Sequence, residues 1–300
     1  LKELQAEQTD EATTRIENLD ELRNKIVAYE EETEQPSLNE LLEQIADSQM
    51  ILIGIGKEME ENYQGMDEDD FYRPLLAQAQ DEKDSAAIIQ YLRCHYVRRH
   101  PNQRIKESYE KLSDILDGKN YFIVSLTEDD YIYNSTMEKD RIVTPCGGFR
   151  ALQCKEECST DQEALVTDEH VILQVLEKID HCEGTLSSVD FPVCAQCCQT
   201  LWFNRIETPG YREEGYLPQW GKYTEWLQGT LNRKLCIIEL GAGMEYPSVI
   251  RFPFEKVAFF NQKASFFRIH GKLPYLTEEL AGRATSFKIN PVDFLLGDEK

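Results

Sequence analysis

The chain has 300 residues, of which 41% are hydrophobic, which is enough for one large domain or for a large domain with a small one attached. Because 55 Asp and Glu residues outnumber 32 Lys and Arg residues, the formal net charge is -23, and we expect no nucleic-acid partner. No apolar run approaches the roughly 20 residues that cross a bilayer, and the first residues lack the apolar core of a signal peptide, so we expect no membrane contact and a cytoplasmic location.

Residues 1–47 are predicted to form two helices that pack on the core. Residues 1–34 are acidic and carry one apolar stripe at helical spacing, which fits either a solvated helix on the core or an arm that binds a partner. The stripe consists of Ile16, Leu19, Leu22, Ile26 and Val27. Pro36 then breaks the chain, and a capping box that begins at Ser37 opens a second helix through about Asp47.

Strands and helices alternate in the next part of the chain. Residues 50–53 form a continuous apolar run that ends in the turn Gly54-Ile55-Gly56, as in a buried strand of a parallel sheet. Residues 84–99 and 105–116 have helical periodicity, and residues 121–124 form another apolar strand. This order is typical of βαβ units and predicts a Rossmann-like parallel sheet with helices on both faces.

The sheet is predicted to resume after a cysteine-rich insertion that contains one helix. Residues 235–240 form a strand that ends in Gly241-Ala242-Gly243, and residues 257–260 and 265–269 are predicted as further β-rich runs. The fold class is therefore α/β, with a small module inserted in a Rossmann-like domain. The predicted units are residues 48–150 and 216–300 for the two parts of the Rossmann-like domain and residues 151–215 for the module.

Two close cysteine pairs carry the strongest chemical signal. Cys154-x3-Cys158 and Cys194-x2-Cys197 each supply two thiolates from one turn, and a tetrahedral zinc site needs four such ligands. Nine cysteines in a chain with a cytoplasmic location are better explained by thiols and metal than by disulfides. We therefore predict one structural zinc ion, since protein ligands fill every position; the competing interpretation is four unrelated buried thiols.

The fourth zinc ligand has alternatives. Cys198 could replace Cys197, because both follow Cys194 at ligand spacing. His181 and Cys182 also lie nearby in the sequence.

Two glycine turns stand at predicted strand ends. Gly54-x-Gly56 and Gly241-x-Gly243 lie where open α/β sheets bind ligands, and glycine there lets the backbone approach a pyrophosphate closely. Neither turn completes the dinucleotide fingerprint, because Met59 stands where the third glycine after Gly54 would fall.

The charges that follow Gly56 oppose a phosphate ligand. Glu58, Glu60 and Glu61 would occupy the positive end of the next helix and satisfy its dipole, and Lys57 offsets them only in part. A bound dinucleotide would have to tolerate this negative field, or the loop is structural, and charge alone does not decide between these two interpretations.

The most specific part of the sequence resembles the sirtuin family, and within it the macrodomain-linked microbial class. Residues 237–247 and 250–254 are similar to the family segment xELGxGMxxPxxIxxPF, and residues 261–264 are similar to the segment that follows it. The cysteine pairs fall where sirtuins carry a zinc module, and the x3 spacing of the first pair matches this class. The resemblance runs from about Gln49 to Ile289.

This resemblance implies a Rossmann-like domain, a small zinc domain and NAD in the cleft between them. It also implies cleavage of the bond between nicotinamide and ribose, followed by deacylation or by transfer of ADP-ribose to a protein, with a lipoyl-carrier protein or a macrodomain protein as partner. The cofactor-binding residues that it implies are Gly54, Gly56, Lys57, Gly241, Gly243, Met244, Asn261 and His270.

The sequence departs from the family pattern at the catalytic positions. Thr127 stands where the family has the asparagine that supports nicotinamide cleavage, although Asp129 retains the acid of that segment. Cys146 stands at the base position, which is histidine in deacylases and glutamine in the macrodomain-linked class. A thiol could act as nucleophile or acceptor if its pKa were lowered. We expect His95 and His100 to lie at the surface.

Three hypotheses follow. The first is a pseudo-sirtuin that binds NAD or ADP-ribose with a degenerate catalytic site. The second is an active NAD-dependent ADP-ribosyltransferase or deacylase with a remodelled pocket, and the third is an interaction scaffold that binds neither ligand. The loop Gly54-Ile55-Gly56-Lys57-Glu58 also lacks the family's GAG followed by a small hydroxyl residue. Because this loop, Thr127 and Cys146 are changed together, the sequence favours the first hypothesis.

Overall fold

A computed structural model describes residues 38–155 and 165–298. The helix predicted in residues 1–34, the cap at Ser37 and the predicted zinc ligand Cys158 lie outside the described residues. The described helix nearest to the amino terminus spans residues 38–47 and buries Leu41 and Ile45, as its apolar spacing predicts.

Within the described residues, nine strands form two sheets. The strands are β1 (Met50–Ile55), β2 (Tyr121–Ser125), β3 (Ile142–Val143), β4 (Gly147–Gln153), β5 (Leu165–Val166), β6 (Trp202–Arg205), β7 (Leu235–Leu240), β8 (Ala264–Ile269) and β9 (Ala284–Phe287). The large sheet has six parallel strands in the order β3-β2-β1-β7-β8-β9, with Ile53 opposite both Ile123 and Ile238. This order reverses between β1 and β7, and the predicted Rossmann-like sheet is confirmed.

Nine helices accompany these strands within the described residues. They are α1 (Leu38–Asp47), α2 (Tyr72–Asp81), α3 (Ser85–Arg99), α4 (Gln103–Leu116), α5 (Tyr131–Asn134), α6 (Glu169–Asp180), α7 (Leu217–Gln228), α8 (Arg251–Phe260) and α9 (Pro291–Leu296). None of the described helices combines the length and the apolar character needed to cross a membrane.

The large sheet is buried on both faces, as a parallel sheet with crossover helices must be. Alternate side chains of β1 belong to two separate apolar cores, with Ile53 in one core and Leu52 in the other. The Ile53 core includes Leu112 of α4, and the Leu52 core includes Phe254 of α8. The prediction of helices on both faces is therefore confirmed.

The small sheet is antiparallel, with the order β5-β4-β6. Its strands bury Leu152 and Phe203 in the same apolar core as Ile172 and Ile179 of α6. An isolated antiparallel bridge between Val193 and Thr200 lies outside the named strands and closes a turn. This part of the chain corresponds to the predicted insertion, since β7 returns to the large sheet directly after it.

Two local predictions are wrong. The run predicted as β-rich at residues 257–260 is the end of helix α8, because Phe254 and Ala258 repeat at helical spacing and pack in the core. His95 is buried rather than at the surface, with the Tyr72 hydroxyl 2.7 Å from its Nδ1 and Asp180 3.1 Å from its Nε2. Burial lowers the pKa of His95, against the opposing effect of Asp180.

We predict that Gly56→Ala destabilises the protein severely. A Cβ at Gly56 would overlap the carbonyl oxygen of Gly241 and the backbone of Ala242, and backbone atoms cannot move aside as a flexible side chain can. Urea denaturation should give a loss of several kcal/mol in the free energy of unfolding, or no folded protein. Gly221→Ala is the matched control, because Gly221 lies exposed in α7 with open space around it, so alanine should be neutral or stabilise by up to about 1 kcal/mol. Equal stability of the two variants would contradict this packing.

Candidate functional site

A cavity of about 250 Å³ lies at the carboxyl ends of the strands of the large sheet. It opens where the strand order reverses between β1 and β7, which is the position where open α/β sheets bind their ligands. The residues that line it are Lys57, Glu58, Leu126, Gly241, Gly243, Met244, Glu245, His270 and Lys272. Five of the eight residues predicted to bind the cofactor are therefore brought together here.

The two glycine turns pack directly on each other. The Gly56 amide donates a hydrogen bond to the Leu240 carbonyl at 2.8 Å, and the Gly241 amide donates one to Ile269 at 2.8 Å. Gly241 has a φ of 67°, where a Cβ would also press on Glu58. The close packing of the two turns therefore requires glycine at both positions, Gly56 and Gly241.

Gly54 and Gly243 have different surroundings. A Cβ on Gly54 would meet the side chains of Ile250 and Phe254, so this glycine lets α8 pack against β1. At Gly243, only Nε2 of His270 would lie near an added Cβ, at 3.7 Å. Of the four glycines in these turns, Gly243 is the one whose small size leaves space at the cavity.

The carboxylate of Glu58 contacts the loop after β8 and does not cap the end of a helix. Its oxygens lie 2.9 Å from Nδ1 of His270 and accept a 2.9 Å hydrogen bond from the Gly271 amide. Burial alone would raise the pKa of Glu58, but these hydrogen bonds outweigh burial and hold it below its usual value. The segment from Lys57 to Met59 is one short 3-10 turn, so the predicted helix with acidic residues at its positive end is absent from this described segment.

Two cations and two carboxylates form a buried network beside the cavity. Lys57 Nζ lies 2.7 Å from a Glu60 oxygen and 3.1 Å from a Glu128 oxygen, and Arg205 of β6 forms an ion pair with Glu128. Burial opposes the charge of Lys57, but the two carboxylates more than compensate and raise its pKa. The network joins the turn after β1 and the loop after β2 to the small sheet, and the exposed carboxylate of Glu207 also lies 3.5 Å from Arg205.

Neither Glu128 nor Arg205 is marked as a site residue by the sequence. Glu128 lies between the two predicted catalytic residues, and it is 3% exposed, which an acidic side chain tolerates only with partners. No sequence signal marks Arg205 as its partner, because the two residues are far apart in the chain and meet only through the inserted sheet.

Thr127 and Asp129 are buried and do not line the cavity. The Thr127 hydroxyl lies 2.8 Å from that of Ser125. Asp129 accepts hydrogen bonds from the amides of Glu61 at 2.8 Å and Tyr131 at 3.3 Å, and burial, with a further effect of Glu60, raises its pKa well above the usual value. Both side chains are thus engaged in holding loops.

Cys146 has the surroundings of a core residue. Its side chain is completely buried in the apolar core that also holds Val143 and Ala242. Burial raises the pKa of its thiol to about 12, and the nearby charge of Lys57 only partly opposes this. At neutral pH the thiol is therefore protonated, which removes the reactivity that a nucleophile or acceptor would need.

Asn261 is not brought to the cavity. It lies before β8, at the amino ends of the strands, where its side-chain amide donates hydrogen bonds to the carbonyls of Thr230 and Arg233, each at 3.1 Å. Asn261, which was predicted to bind the cofactor, thus lies away from the cavity, which opens at the opposite edge of the sheet. Its role is to join two loops.

Three of the predicted zinc ligands lie together. The sulfur atoms of Cys154, Cys194 and Cys197 are all within 4.8 Å of one another, and those of Cys154 and Cys197 are 3.4 Å apart. The backbone amides of Cys197 and Gln196 lower the pKa of Cys194 to about 7, so that its thiolate forms readily. This donor set fits zinc, which binds thiolates.

The alternative ligands lie differently. Cys198 is exposed and is not part of the three-cysteine group found within the described residues. Cys182 is buried among apolar side chains, and the Nδ1 of His181 lies 2.8 Å from the Glu177 carbonyl. Cys197 is therefore better placed than these alternatives as a ligand.

We predict that zinc binding depends on Cys154 and Cys197 but not on Cys198. Metal analysis of the dialysed protein should give about one zinc per chain, and Cys154→Ser or Cys197→Ser should reduce this to near zero because each removes a thiolate of the group. Cys198→Ser is the matched control and should keep its zinc. Loss of zinc in Cys198→Ser with retention in Cys197→Ser would show that Cys198, and not Cys197, binds the metal.

No family model matches the sequence. The chain is 28% identical over 149 residues to a "probable bifunctional ADP-ribose hydrolase/ADP-ribosyltransferase" of Fusarium oxysporum f. sp. cubense, covering 46% of this chain and 23% of that protein. It is 20% identical over 173 residues to a "protein ADP-ribosyltransferase" of Staphylococcus aureus strain Mu50, covering 57% of this chain and 53% of that protein. The matched regions thus span about a quarter and about half of the two relatives.

Solved sirtuin structures have the same fold. A sirtuin from a study of substrate affinity superposes with a TM-score of 0.51 and 13% identity, covering 87% of this chain and 98% of that one. A Sir2 homologue in complex with NAD superposes with a TM-score of 0.50 and 14% identity, covering 88% of this chain and 93% of that one. The chain therefore has a sirtuin-like α/β fold.

Proposed function

We propose that this chain is a pseudo-sirtuin, which binds ADP-ribose or NAD in the cavity between β1 and β7 and has little or no transfer activity. The main support for ligand binding is the position of the cavity, which lies beside Gly243 where the strand order reverses. The sirtuin fold and the names of the two relatives, both connected with ADP-ribose, support this class of ligand.

The charges around the cavity oppose an anionic ligand less than the sequence alone suggests. Lys57 and Lys272 line it together with Glu58 and Glu245. The Gly271 amide donates a hydrogen bond to the Glu58 carboxylate, and Nδ1 of His270 lies 2.9 Å from it, so its repulsion of a phosphate is reduced. The negative field that the sequence predicts is therefore weaker in the folded chain than a count of its glutamates suggests.

The surroundings of the catalytic positions support the loss of transfer activity. A base that takes a proton from a ribose hydroxyl must reach that hydroxyl and must be deprotonated at the working pH. Cys146 is fully buried with a pKa of about 12, so it meets neither condition. Asp129 is committed to two backbone amides, and Thr127 does not replace the amide group of an asparagine.

An active ADP-ribosyltransferase is the second candidate, because both relatives carry that activity in their names. A structural zinc ion held by Cys154, Cys194 and Cys197 is part of either proposal, with Cys158 as the proposed fourth ligand. Such an ion would fix the turn at residues 193–200 against the end of β4. A lipoyl-carrier protein or a macrodomain protein as partner stays a prediction of the family resemblance.

We predict that Gly243→Leu abolishes ligand binding without unfolding the protein. A side chain at Gly243 would extend into the cavity, while its Cβ would make only an ordinary contact with His270. In calorimetric titrations, ADP-ribose and NAD should bind the unsubstituted protein and bind Gly243→Leu at least about tenfold more weakly, a loss of about 1.4 kcal/mol or more. Gly221→Leu, on the exposed face of α7, is the matched control and should bind normally.

The same titration distinguishes binding from a scaffold role. Absence of heat with both ligands at millimolar concentration, in protein with a normal thermal transition, would contradict the proposal and favour the scaffold. Equal binding by Gly243→Leu and the unsubstituted protein would show that the ligand occupies another place.

A further inference from the structure

The edge of the large sheet opposite the cavity has an unusual composition. Residues 228–234 and 256–264 each contain two Lys or Arg residues, residues 281–284 contain Arg283, and none of the three segments contains Asp or Glu. The whole chain carries 55 acidic residues and a net charge of -23. A cluster of segments without any acidic residue is therefore a marked local exception, and we call this surface the basic edge.

The topology and the hydrogen bonds bring these segments together. They lead into β7, β8 and β9, whose parallel pairing places their first residues along one edge of the sheet. The Asn261 amide bonds the carbonyls of Thr230 and Arg233, and the Arg283 guanidinium donates to the carbonyls of Ala258 at 2.9 Å and Asn261 at 3.2 Å. The basic edge is thus one continuous surface.

Large apolar side chains are exposed on the basic edge. Phe260 is 75% exposed, Leu231 is 70% exposed and Phe259 is 41% exposed. The rings of Phe259 and Phe260 lie 5.2 Å apart in an edge-to-face arrangement, so they form one aromatic surface. Exposed apolar groups that cluster in this way are typical of interaction surfaces, whereas isolated ones are common everywhere.

The cations on the basic edge differ in their availability. Lys234 is paired with Asp47 at 2.8 Å, but Arg233, Lys256 and Lys263 form no ion pair with any carboxylate of the described residues. All three of these side chains are exposed. Three exposed cations that form no ion pair within the described residues therefore share this edge with the two phenylalanine rings.

We propose that the basic edge binds a short acidic segment of a partner protein that also carries apolar side chains. The partner's carboxylates would pair with Arg233, Lys256 and Lys263, and its apolar side chains would cover Phe259 and Phe260. Aromatic and arginine side chains with this arrangement commonly dominate binding energy at protein interfaces. The site lies apart from the cavity, so it is independent of the proposed ligand.

The negative charge of the rest of the chain favours a short acidic segment over an extended polyanion as the partner of the basic edge. The Debye length at physiological ionic strength is about 8 Å, so a short segment at the basic edge responds mainly to the local cations. A membrane surface or a nucleic acid extends beyond the edge and would approach the rest of a chain with a net charge of -23. The observations therefore favour a peptide-like acidic partner over these two alternatives.

Fluorescence anisotropy with a labelled synthetic peptide of about twelve residues, alternating Glu with Leu or Phe, tests this proposal. The unsubstituted protein should bind it with an affinity that falls as salt increases. Lys263→Glu and Phe260→Ser should each weaken binding at least about tenfold. The matched controls are Lys111→Glu, an exposed lysine of α4, and Leu173→Ser, an exposed leucine of α6, and both should bind as the unsubstituted protein does.

Three results would overturn the proposal. The first is the absence of peptide binding at low salt by protein that is folded by circular dichroism. The second is equal binding by Phe260→Ser, Lys263→Glu and the unsubstituted protein. The third is tighter binding of anionic lipid vesicles or single-stranded DNA than of the peptide. A peptide in which Ser replaces every Leu and Phe should bind more weakly, and equal binding of that peptide would contradict a role for the two phenylalanines.

Discussion

The contact between the turns that follow β1 and β7 is the constraint on which the rest of the structure depends. Parallel pairing of β1 with β7 brings both turns to the same edge of the sheet, with Gly54 opposite Glu239 and Ile55 opposite Leu240. The two backbones then touch at Gly56 and Gly241, where no side chain fits. The cavity opens beside this contact, and the loop after β8 completes it with His270.

Buried charge fixes the loops around the same contact. Glu239 and Arg268 lie opposite each other on β7 and β8 and form a buried ion pair with a 2.6 Å hydrogen bond. Arg268 also donates to the Tyr275 carbonyl at 2.6 Å, while Arg251 bonds the Ala242 carbonyl at 3.0 Å and the Leu273 carbonyl at 3.1 Å. Because both arginines hold loop carbonyls, hydrogen bonds fix the loops beside the cavity.

Those parts of the fold that follow from local patterns could be predicted from the sequence. The apolar runs before Gly54 and Gly241 identify the two central strands, because a strand buried on both faces carries no polar alternation. The spacing of Cys194 and Cys197 likewise identifies a turn with two thiols. The sequence predicts β structure at the end of helix α8, because this end is apolar on several sides and helical periodicity is weak there.

Features that depend on tertiary contact could not be predicted in this way. The sequence assigns Gly56 to a ligand, whereas the folded chain uses it for contact with another turn. From the sequence, the charge of Glu58 is expected to face a phosphate. In the folded chain its carboxylate instead contacts His270 and Gly271, which come from the far end of the chain. The state of the Cys146 thiol depends on burial by residues from several elements, which no spacing in the sequence reveals.

We propose that the fold and the cavity persist while the groups for transfer chemistry are engaged elsewhere. Release of nicotinamide from NAD by the purified protein, compared with Asp129→Asn, tests this claim most directly. We predict release no faster than in buffer for both proteins, with ADP-ribose binding retained. Catalytic release by the unsubstituted protein that disappears in Asp129→Asn, with normal folding of that variant, would contradict the account and establish an active site that uses Asp129.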